Sequence, residues 1–571
     1  MTIPTLVANS FLEDLALVSI VAAATTVLFR ALRQPAVVGY LIAGMIVGPY
    51  TPLIFVDADR LHGVSELGMI LLMFALGLEF SIRRLLRLGP RAAFITAVQV
   101  GLMLWLGYIC GRLLGWSELE SIFTGAVLSI SSTTIVAKAF AEQRVGVDLR
   151  ELALGVLLCE DLAAVIMLAV LTPLGAGAGL SAMVLEWTGL RLAVFLVAIV
   201  GGGILAIPPL VRLIARIGND ETMVVASVGI CFGLAMAAER AGYSVALGAF
   251  LAGSLVAESG EAEHLSELVG PLRDVFAAVF FVSVGMIIDP QLIVTHWHAL
   301  ALMVGVLIAG KTFGVTLGAL LAGTPAPLAV QAGLSLAQIG EFSFIIAGVG
   351  IQTGAARPSL FALAVAVSAL TTFTTPFMIR ACGPVGAMLE SLAPHPLARL
   401  QLIYDGWLER VSAGRFAPEG RQGVAVPMIF LVASGLSIAA AVIAVDVPGR
   451  PIERVVLLSG MATARTAIVA DLLALAVAVI GTVGMLFSAR MLAERLADHR
   501  ARVRATLQDW ERGVMVEILQ LAIMVCAGLL LLALLQPFLQ IREGVAVVVL
   551  MGSAIALVLW RGARRLGPAD R

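Results

Sequence analysis

Apolar runs of about twenty residues, separated by short polar segments, follow one another along most of the chain. A helix needs about 20 apolar residues to cross the ~30 Å hydrocarbon core of a bilayer. The strict alternation expected of a membrane β-barrel is absent. The pattern therefore predicts an all-α polytopic membrane protein. About thirteen spans are expected up to residue 382: 12–32, 35–50, 65–82, 91–112, 118–138, 150–172, 187–207, 222–239, 243–259, 271–289, 298–322, 327–351 and 357–381.

The basic residues favour one orientation of these spans. If the N-terminus lies outside, the basic segments after the first, third, fifth and seventh spans fall on one side, which the positive-inside rule makes the cytoplasm. We therefore expect a multi-pass protein of the cell membrane, in a bacterium the inner membrane, with an outside N-terminus and a cytoplasmic C-terminus. The segments contain Arg30 and Arg33; Arg83, Arg84 and Arg87; Lys138, Arg144 and Arg150; and Arg212 and Arg216.

The pattern changes after residue 382. Residues 1–382 are expected to form one membrane domain, and residues 383–423 contain no span and predict a cytoplasmic linker. Four further apolar runs, at 424–446, 466–488, 514–536 and 543–560, predict an additional membrane module over 424–571. The sequence indicates no function for this module.

Composition agrees with a membrane protein and argues against an enzyme. The chain is 60% hydrophobic and 13% charged, whereas an ordinary soluble domain is about 25% charged. The five cysteines lie in apolar segments without CxxC spacing, so no zinc site or disulfide framework is predicted. The six histidines form no HExxH motif and no nucleophile elbow is found. No nucleic-acid partner is expected.

A weak internal repeat indicates a transporter. "GYLIAGMIVG" (39–48) resembles "GAFLAGSLVA" (248–257), and "LMFALGLEFSIRRL" (72–85) resembles "VFFVSVGMIIDPQL" (279–292). The offset of about 208 residues spans an odd number of crossings, so the two copies have opposite orientations. Inverted repeats are typical of secondary transporters, which bind substrate near the bilayer midplane. Gly and Ala recur in any membrane helix, so the repeat alone leaves other classes open.

Two adjacent acids, Glu160 and Asp161, lie in the middle of the sixth span. An acid at mid-depth costs roughly 3 kcal/mol on insertion scales. One explanation is a helix-packing contact in which a protonated carboxyl donates a hydrogen bond. That explanation is weaker for two acids that point ~100° apart on a helix, because each must be neutralised separately. The pair therefore favours a functional site for a proton or a cation.

Lys311 lies in the middle of the eleventh span and is a candidate charge partner for these acids. Only two of the 37 basic residues are lysines. The pKa of a buried lysine shifts readily, whereas an arginine stays charged, so a mid-membrane lysine suits a group that loses its partner or its proton during a cycle. A fixed structural ion pair remains the alternative.

Polar residues interrupt two spans. Ser131, Ser132, Thr133 and Thr134 follow one another within 118–138, and Gln338, Gly340 and Glu341 occupy the corresponding place in 327–351. Hydroxyl side chains compete for backbone hydrogen bonds and glycine loosens a helix, so both spans are expected to unwind halfway. Unwound carbonyls and half-helix ends coordinate small cations in midplane sites. Hydroxyls bonded back to their own helix are the alternative.

Five segments together resemble the Kef-type monovalent cation:proton antiporters (CPA2 group). They are "RQPAVVGYLIAGMIVGP" (33–49), "LGMILLMFALGLEFSIRRL" (67–85), "LGAFLAGSLVAES" (247–259), "FFVSVGMIIDP" (280–290) and "AQIGEFSF" (337–344). The resemblance covers roughly residues 10–382. It implies a thirteen-helix inverted-repeat fold with a dimerisation domain, a mobile core domain and two broken crossing helices at 118–138 and 327–351. It also implies a homodimer.

The resemblance assigns roles to individual residues. Asp161 matches the family's ion-binding aspartate, which makes it the site for the monovalent metal cation, and Glu160 matches the residue before it. Related antiporters carry Asp there with electrogenic exchange and a salt bridge to the core lysine, which Lys311 matches, or Gln in potassium efflux members. The glutamate keeps the charge and favours a pair with Lys311, but the coupling ratio stays open. Residues 131–134 match the broken-helix position that helps line the site.

The expected activity is exchange of K+, or alternatively Na+, for protons through competition at Asp161. No cofactor is expected besides the transported ions. Kef proteins usually carry a nucleotide-binding regulatory domain with a GxGxxG motif, and none is found here, so NAD or glutathione control is not implied. Alternatives are a channel-like K+ efflux system, a sodium-coupled organic anion symporter, and a sensor or scaffold with an inert transport domain.

Overall fold

The computed structural model describes most of the chain up to residue 392 and parts of the remainder. The described residues are 6–7, 11–32, 36–50, 54–55, 58–79, 82–133, 135–136, 139–140, 145–175, 182–286, 288–392, 427–431, 433–435, 437–438, 477, 480–495 and 509–535. The expected span at 543–560 and most of the expected linker at 383–423 lie outside them. Statements about the additional module concern only its described residues.

Helices dominate the described residues, as the apolar runs predict. The helices are α1 (Phe11–Ala31), α2 (Ala36–Val47), α3 (Ala58–Glu79), α4 (Ile82–Leu113), α5 (Glu118–Ser129), α6 (Val147–Pro173), α7 (Ala182–Ile217), α8 (Asp220–Arg240), α9 (Val245–Val256), α10 (Ala262–Met286), α11 (Pro290–Thr295), α12 (Trp297–Leu321), α13 (Ala326–Ser335), α14 (Glu341–Gln352), α15 (Pro358–Leu392) and α16 (Asp509–Leu535). A π-helical turn at Ala257–Glu261 joins α9 to α10 through Gly260, whose φ is 93°. The β-structure within the described part is one parallel pair, β1 (Leu6–Val7) with β2 (Ile54–Phe55).

Each of the thirteen expected spans overlaps a helix. Eight helices in the described part are long and apolar enough to cross a membrane, and four shorter apolar helices accompany them. The all-α polytopic prediction is therefore confirmed, whereas the number of crossings stays a prediction. Helix boundaries differ from the expected ones most at α15, which continues into the segment expected as a linker. Its added residues include two glycines and a proline as well as good helix formers such as Ala, Met, Leu and Glu, so the sequence does not predict this extension, and Pro394 follows two residues after its end.

The described chain packs into two compact units. The first contains residues 1–93, 110–309 and 336–378, and the second contains residues 94–109, 310–335 and 379–571. Glu160, Asp161 and both expected helix interruptions belong to the first unit. Lys311 belongs to the second.

Glycines allow two pairs of helices in the first unit to pack closely. A Cβ on Gly44 of α2 would lie 2.1 Å from the carbonyl oxygen of Val282 on α10, and one on Gly285 would lie 2.3 Å from that of Leu41. A side chain on either residue would force backbone to move. The glycines therefore allow α2 and α10 to pack backbone against backbone, the close approach that small residues permit between membrane helices.

The same contact recurs between α3 and α9. A Cβ on Gly253 would lie 2.1 Å from the carbonyl oxygen of Phe74, and one on Gly77 would lie 2.2 Å from that of Phe250. Gly253 follows Gly44 by 209 positions, and Gly285 follows Gly77 by 208. The repeat seen in the sequence is thus present in the packing, and each copy contributes one helix to each contact.

The second unit has its own glycine contacts. Three glycines of α12, at intervals of four residues, face α4: Gly310 approaches Met103 and Leu106, Gly314 approaches Gln99 and Leu102, and Gly318 approaches Ile95. Lys311 follows the first of these glycines and is fully buried. The lysine is therefore carried by a helix that packs closely on residues 95–106 of α4.

Helix α16 packs on the same two helices. Ala522 and Val525 form a buried cluster with Val98 of α4 and Leu321 of α12. The backbone of α16 approaches Gly101 of α4, where a Cβ would lie 3.3 Å from the carbonyl carbon of Leu529. Within the second unit, this helix of the expected module is therefore part of the packing around α4 and α12.

Candidate functional site

The first helix interruption follows α5. Ser117 caps the start of this helix by accepting a hydrogen bond from the N–H of Glu120 at 3.1 Å. The helix ends at Ser129, whose hydroxyl donates to the carbonyl of Ala126, and Ile130 adopts an extended conformation with φ −103° and ψ 129°. Extended chain at this depth leaves backbone groups without helical partners, which must be satisfied elsewhere.

The second interruption separates α13 from α14. Helix α13 ends at Ser335, and α14 begins at Glu341 after Gly340, whose backbone is extended. A Cβ on Gly340 would lie 2.5 Å from the carbonyl oxygen of Ser131. Only glycine therefore allows the start of α14 to approach the first interruption this closely.

The two interruptions form hydrogen bonds with one another. The N–H of Gly340 donates to the carbonyl of Ile130 at 3.0 Å, and the Ser131 hydroxyl donates to the carbonyl of Leu336 at 2.9 Å. The Ser343 hydroxyl donates to the carbonyl of Val127 at 2.6 Å. These three bonds join the two interruptions directly, so both predicted breaks are present and contact each other, whereas the crossing of the broken helices stays a prediction.

Three consecutive residues of the first interruption each contact a different carboxylate. The N–H of Ser131 donates to Oε2 of Glu160 at 2.7 Å. The Ser132 hydroxyl donates to Oε2 of Glu341 at 3.3 Å, and the Thr133 hydroxyl donates to Oδ2 of Asp161 at 3.2 Å. The contacts gather the acids of α6 and the first residue of α14 around the interruption and the first residue of the helical segment that follows it. The expected fourth hydroxyl, Thr134, lies outside the described residues.

The acids lie in a region of low exposure. Glu160 is fully buried and Asp161 is 9% exposed, whereas Glu341 is half-buried at the N-terminus of α14. The positive end of a helix dipole stabilises a carboxylate in that position. The unwound stretch therefore brings hydroxyls, backbone carbonyls and carboxylates together, the ligand types that bind small monovalent cations. Within the described part of the chain, no group of three or more His, Cys, Asp and Glu side chains is arranged to hold a metal ion.

Gln338 lies between the anchored residues of the second interruption. Its side chain is fully buried, and neither amide atom has a hydrogen-bond partner among the residues that the structure describes. An unsatisfied buried polar group costs about 1–3 kcal/mol. The sequence points to this position through the break in the helix, but the lack of a partner is visible only in the structure.

Lys311 is fully buried on α12, as its place in an apolar run predicts. Its proposed pairing with Glu160 stays a prediction. The lysine belongs to the second unit and the two acids of α6 to the first.

Sequence reasoning missed an ion pair at the start of α5. Glu120 is buried and accepts hydrogen bonds from the Arg357 guanidinium at 2.9–3.1 Å and from the Arg357 backbone N–H at 3.3 Å. The motif "SELE" at 117–120 is a capping-box pattern, which signals the helix start. The glutamate instead joins the first half of the broken helix to the residue before α15.

Known proteins provide an independent comparison. Residues 16–381 match the family model described as "Sodium/hydrogen exchanger, transmembrane". "K(+) efflux antiporter 5" of Arabidopsis thaliana is 30% identical over 375 residues, 65% of this chain and 66% of that protein. "Putative cation/proton antiporter YbaL" of Escherichia coli is 34% identical over 334 residues, 57% of this chain and 60% of that protein. The chain thus spans less than two thirds of the length of these relatives, whose names describe transporters rather than enzymes.

A solved structure has a similar fold. The sodium proton antiporter MjNhaP1 from Methanocaldococcus jannaschii aligns with a TM-score of 0.51 at 15% identity, covering 66% of this chain and 97% of that one. At this identity the likeness concerns the fold alone. It agrees with the expected antiporter fold and does not address the ion.

Proposed function

The chain belongs to the transmembrane sodium/hydrogen exchanger family, with Kef-type relatives, and we propose that it exchanges a monovalent cation for protons by alternating access. K+ is the favoured cation, because relatives are named as K+ efflux antiporters, and Na+ is the alternative. The protein is a multi-pass membrane protein. Its location in a bacterial inner membrane, the outside N-terminus, the cytoplasmic C-terminus and a homodimer are parts of the proposal.

One observation carries this proposal: residues 131–133, at the first helix interruption and the start of the helical segment that follows it, contact Glu160, Asp161 and Glu341. A purely structural acid needs one partner and no unwound backbone beside it. A cation that has lost its water needs several oxygen ligands at once. Interrupted helices provide such ligands at membrane depth.

Asp161 is the proposed point of competition between proton and cation. Proton uptake neutralises its carboxylate, whereas release of the proton leaves a charge that attracts the cation. Thr133, whose hydroxyl contacts Asp161, and backbone carbonyls of the interruption then complete the ion's surroundings. An uncompensated charge at mid-depth is costly, so the core domain changes access mainly when Asp161 is protonated or has bound a cation. That difference couples the two ions.

Glu160 is proposed to act with Lys311. Its contact with the N–H of Ser131 fixes one carboxylate oxygen at the interruption. In the first scheme, the Glu160 carboxylate and the Lys311 ammonium group neutralise each other in the cation-free state. In the second scheme, Lys311 releases an additional proton when the cation binds. The first scheme gives a lower number of protons per cation than the second.

The experiment is proton flux in proteoliposomes that contain a pH-sensitive dye. A K+ or Na+ gradient is expected to move protons in the wild type and to fail to do so in Asp161→Asn, which keeps the shape and removes the charge. The matched control is Asp148→Asn, since Asp148 is exposed in the first turn of the same helix. We expect the control to stay within about twofold of the wild type, or less than about 0.5 kcal/mol in the activation barrier.

Other results of this experiment would support the alternative functions or refute the site. Cation flux without proton movement in the wild type would support a channel-like efflux system. Cation uptake that requires an organic anion would support a symporter. Unchanged exchange in Asp161→Asn would refute the assignment of the site.

A further inference from the structure

The buried amide of Gln338 sits on backbone that is held on both sides. Leu336 accepts from the Ser131 hydroxyl at 2.9 Å, Ile339 accepts from the Ser368 hydroxyl at 3.4 Å, and Gly340 donates to Ile130 at 3.0 Å. With these anchors, a small loop movement is not available to carry the side chain to water. The amide therefore stays buried beside the two helix interruptions.

An amide offers two kinds of hydrogen-bonding group without a charge. Its oxygen accepts and its NH2 donates. The oxygen is chemically equivalent to the backbone carbonyls that replace water around K+ in selectivity filters. The NH2 group can donate to a carboxylate that has no cation bound. Neither atom is occupied by another group in the described part of the chain, so both are available for such contacts.

We propose that Gln338 is a specificity-determining ligand whose amide oxygen completes the coordination of the transported cation. This inference rests on the proposed function, because it assigns Gln338 to the same ion. A neutral ligand adds coordination without changing the charge carried per cycle. An additional oxygen favours the larger K+, which takes more ligands than Na+, so losing the oxygen weakens K+ binding more than Na+ binding.

The proposal predicts that Gln338→Met raises thermal stability and weakens K+ binding at the same time. Methionine has a similar volume but no amide, so the buried group that lacks a partner disappears. The cation-free protein is expected to become more thermally stable, while the K+ concentration that gives half of the K+-induced stabilisation is expected to rise about tenfold. If Gln338 had only a structural role, the variant would be less thermally stable than the wild type and its K+ response would be unchanged.

Gln520→Met is the matched control. Its Nε2 donates to the carbonyl of Leu486 at 3.2 Å, and the residue is 5% exposed. Replacing this partnered amide is expected to lower stability and to leave the K+ response unchanged. The contrast separates the effect of a methionine from the loss of an ion ligand.

The experiment measures thermal unfolding of the purified full chain in detergent, first without K+ or Na+ and then across a series of KCl and NaCl concentrations. Gln338→Asn, which keeps the amide but shortens the side chain, is included in case methionine prevents folding. It is expected to weaken the K+ response by less than Gln338→Met does. Unfolding reports binding without transport, so a K+ response in the wild type together with absent proton flux overturns the antiporter proposal and leaves the ligand assignment standing.

Two results would overturn the ligand assignment. The first is a Gln338→Met variant that is less stable than the wild type without cations and has an unchanged K+ response. The amide would then have a structural role. The second is the absence of any K+ or Na+ response in the wild type, because the site then binds neither ion.

Discussion

Replacing Gly253 by alanine tests the backbone contact between α3 and α9. The new Cβ would lie 2.1 Å from the carbonyl oxygen of Phe74 and 2.8 Å from the backbone nitrogen of Leu78. Ordinary contact would require these helices to separate by about 1 Å, which weakens dispersion contacts along the interface. Overpacking of this kind costs about 1–3 kcal/mol, whereas alanine in an open helical position gains about 0.5–1 kcal/mol over glycine.

The assay compares thermal unfolding in detergent with that of a control, Gly233→Ala. Gly233 lies in α8 and has nothing within 4 Å of the position of a Cβ. The two variants are therefore expected to differ by about 1–3 kcal/mol, the packing loss alone, because both positions lie inside helices and gain the same helix propensity. Equal stability of the two variants would refute the close packing of α3 on α9.

The repeat supplies a second measurement of the same contact. Gly44→Ala would place a Cβ 2.1 Å from the carbonyl oxygen of Val282, so its loss of stability should match that of Gly253→Ala. A large difference between the two would mean that the two contacts are not equivalent.

Three further substitutions test other contacts. Gly340→Ala should force the interruptions apart at Ser131 and reduce cation-driven proton flux by more than about tenfold, or 1.4 kcal/mol; a variant with normal flux would contradict the crossing contact. Glu120→Gln should lower thermal stability by about 1 kcal/mol, because Glu120 is buried but its partner is largely exposed and solvent-screened; unchanged unfolding would show that the pair contributes nothing. Gly101→Leu should destabilise the full chain in unfolding assays more than Gly305→Leu, whose site is open; equal effects would argue against docking of α16 on Gly101.

The sequence predicts the helices well because the bilayer imposes a length and an apolar composition on each span. It also predicts both interruptions, since runs such as "SSTT" and "QIGE" conflict with a regular helix. Boundaries are less well predicted. Helix α15 continues past the apolar run through residues that include two glycines and a proline, so local helix propensity does not predict where it ends.

The contacts within the site could not be predicted from spacing alone. Residues 131–133 are consecutive, yet they contact carboxylates on two different helices, because the chain passes from non-helical to helical backbone here and uses one backbone N–H and two hydroxyls. Likewise, the sequence repeat predicts related halves but does not tell which helix of one half packs on which helix of the other. That pairing depends on packing between residues far apart in sequence.

The pairing of α2 with α10 and of α3 with α9 has a consequence for biogenesis. Gly77 and Gly253 are 176 positions apart, and Gly44 and Gly285 are 241 apart. Chains emerge at about 5–20 residues per second, so the first-half helices remain in the bilayer for roughly ten seconds or longer before their partners are inserted. During that interval their glycine faces contact lipid or the insertion machinery. A nascent chain stopped before residue 285 therefore lacks the native partner of the Gly44 face of α2 and should be recognised by membrane quality control as incomplete.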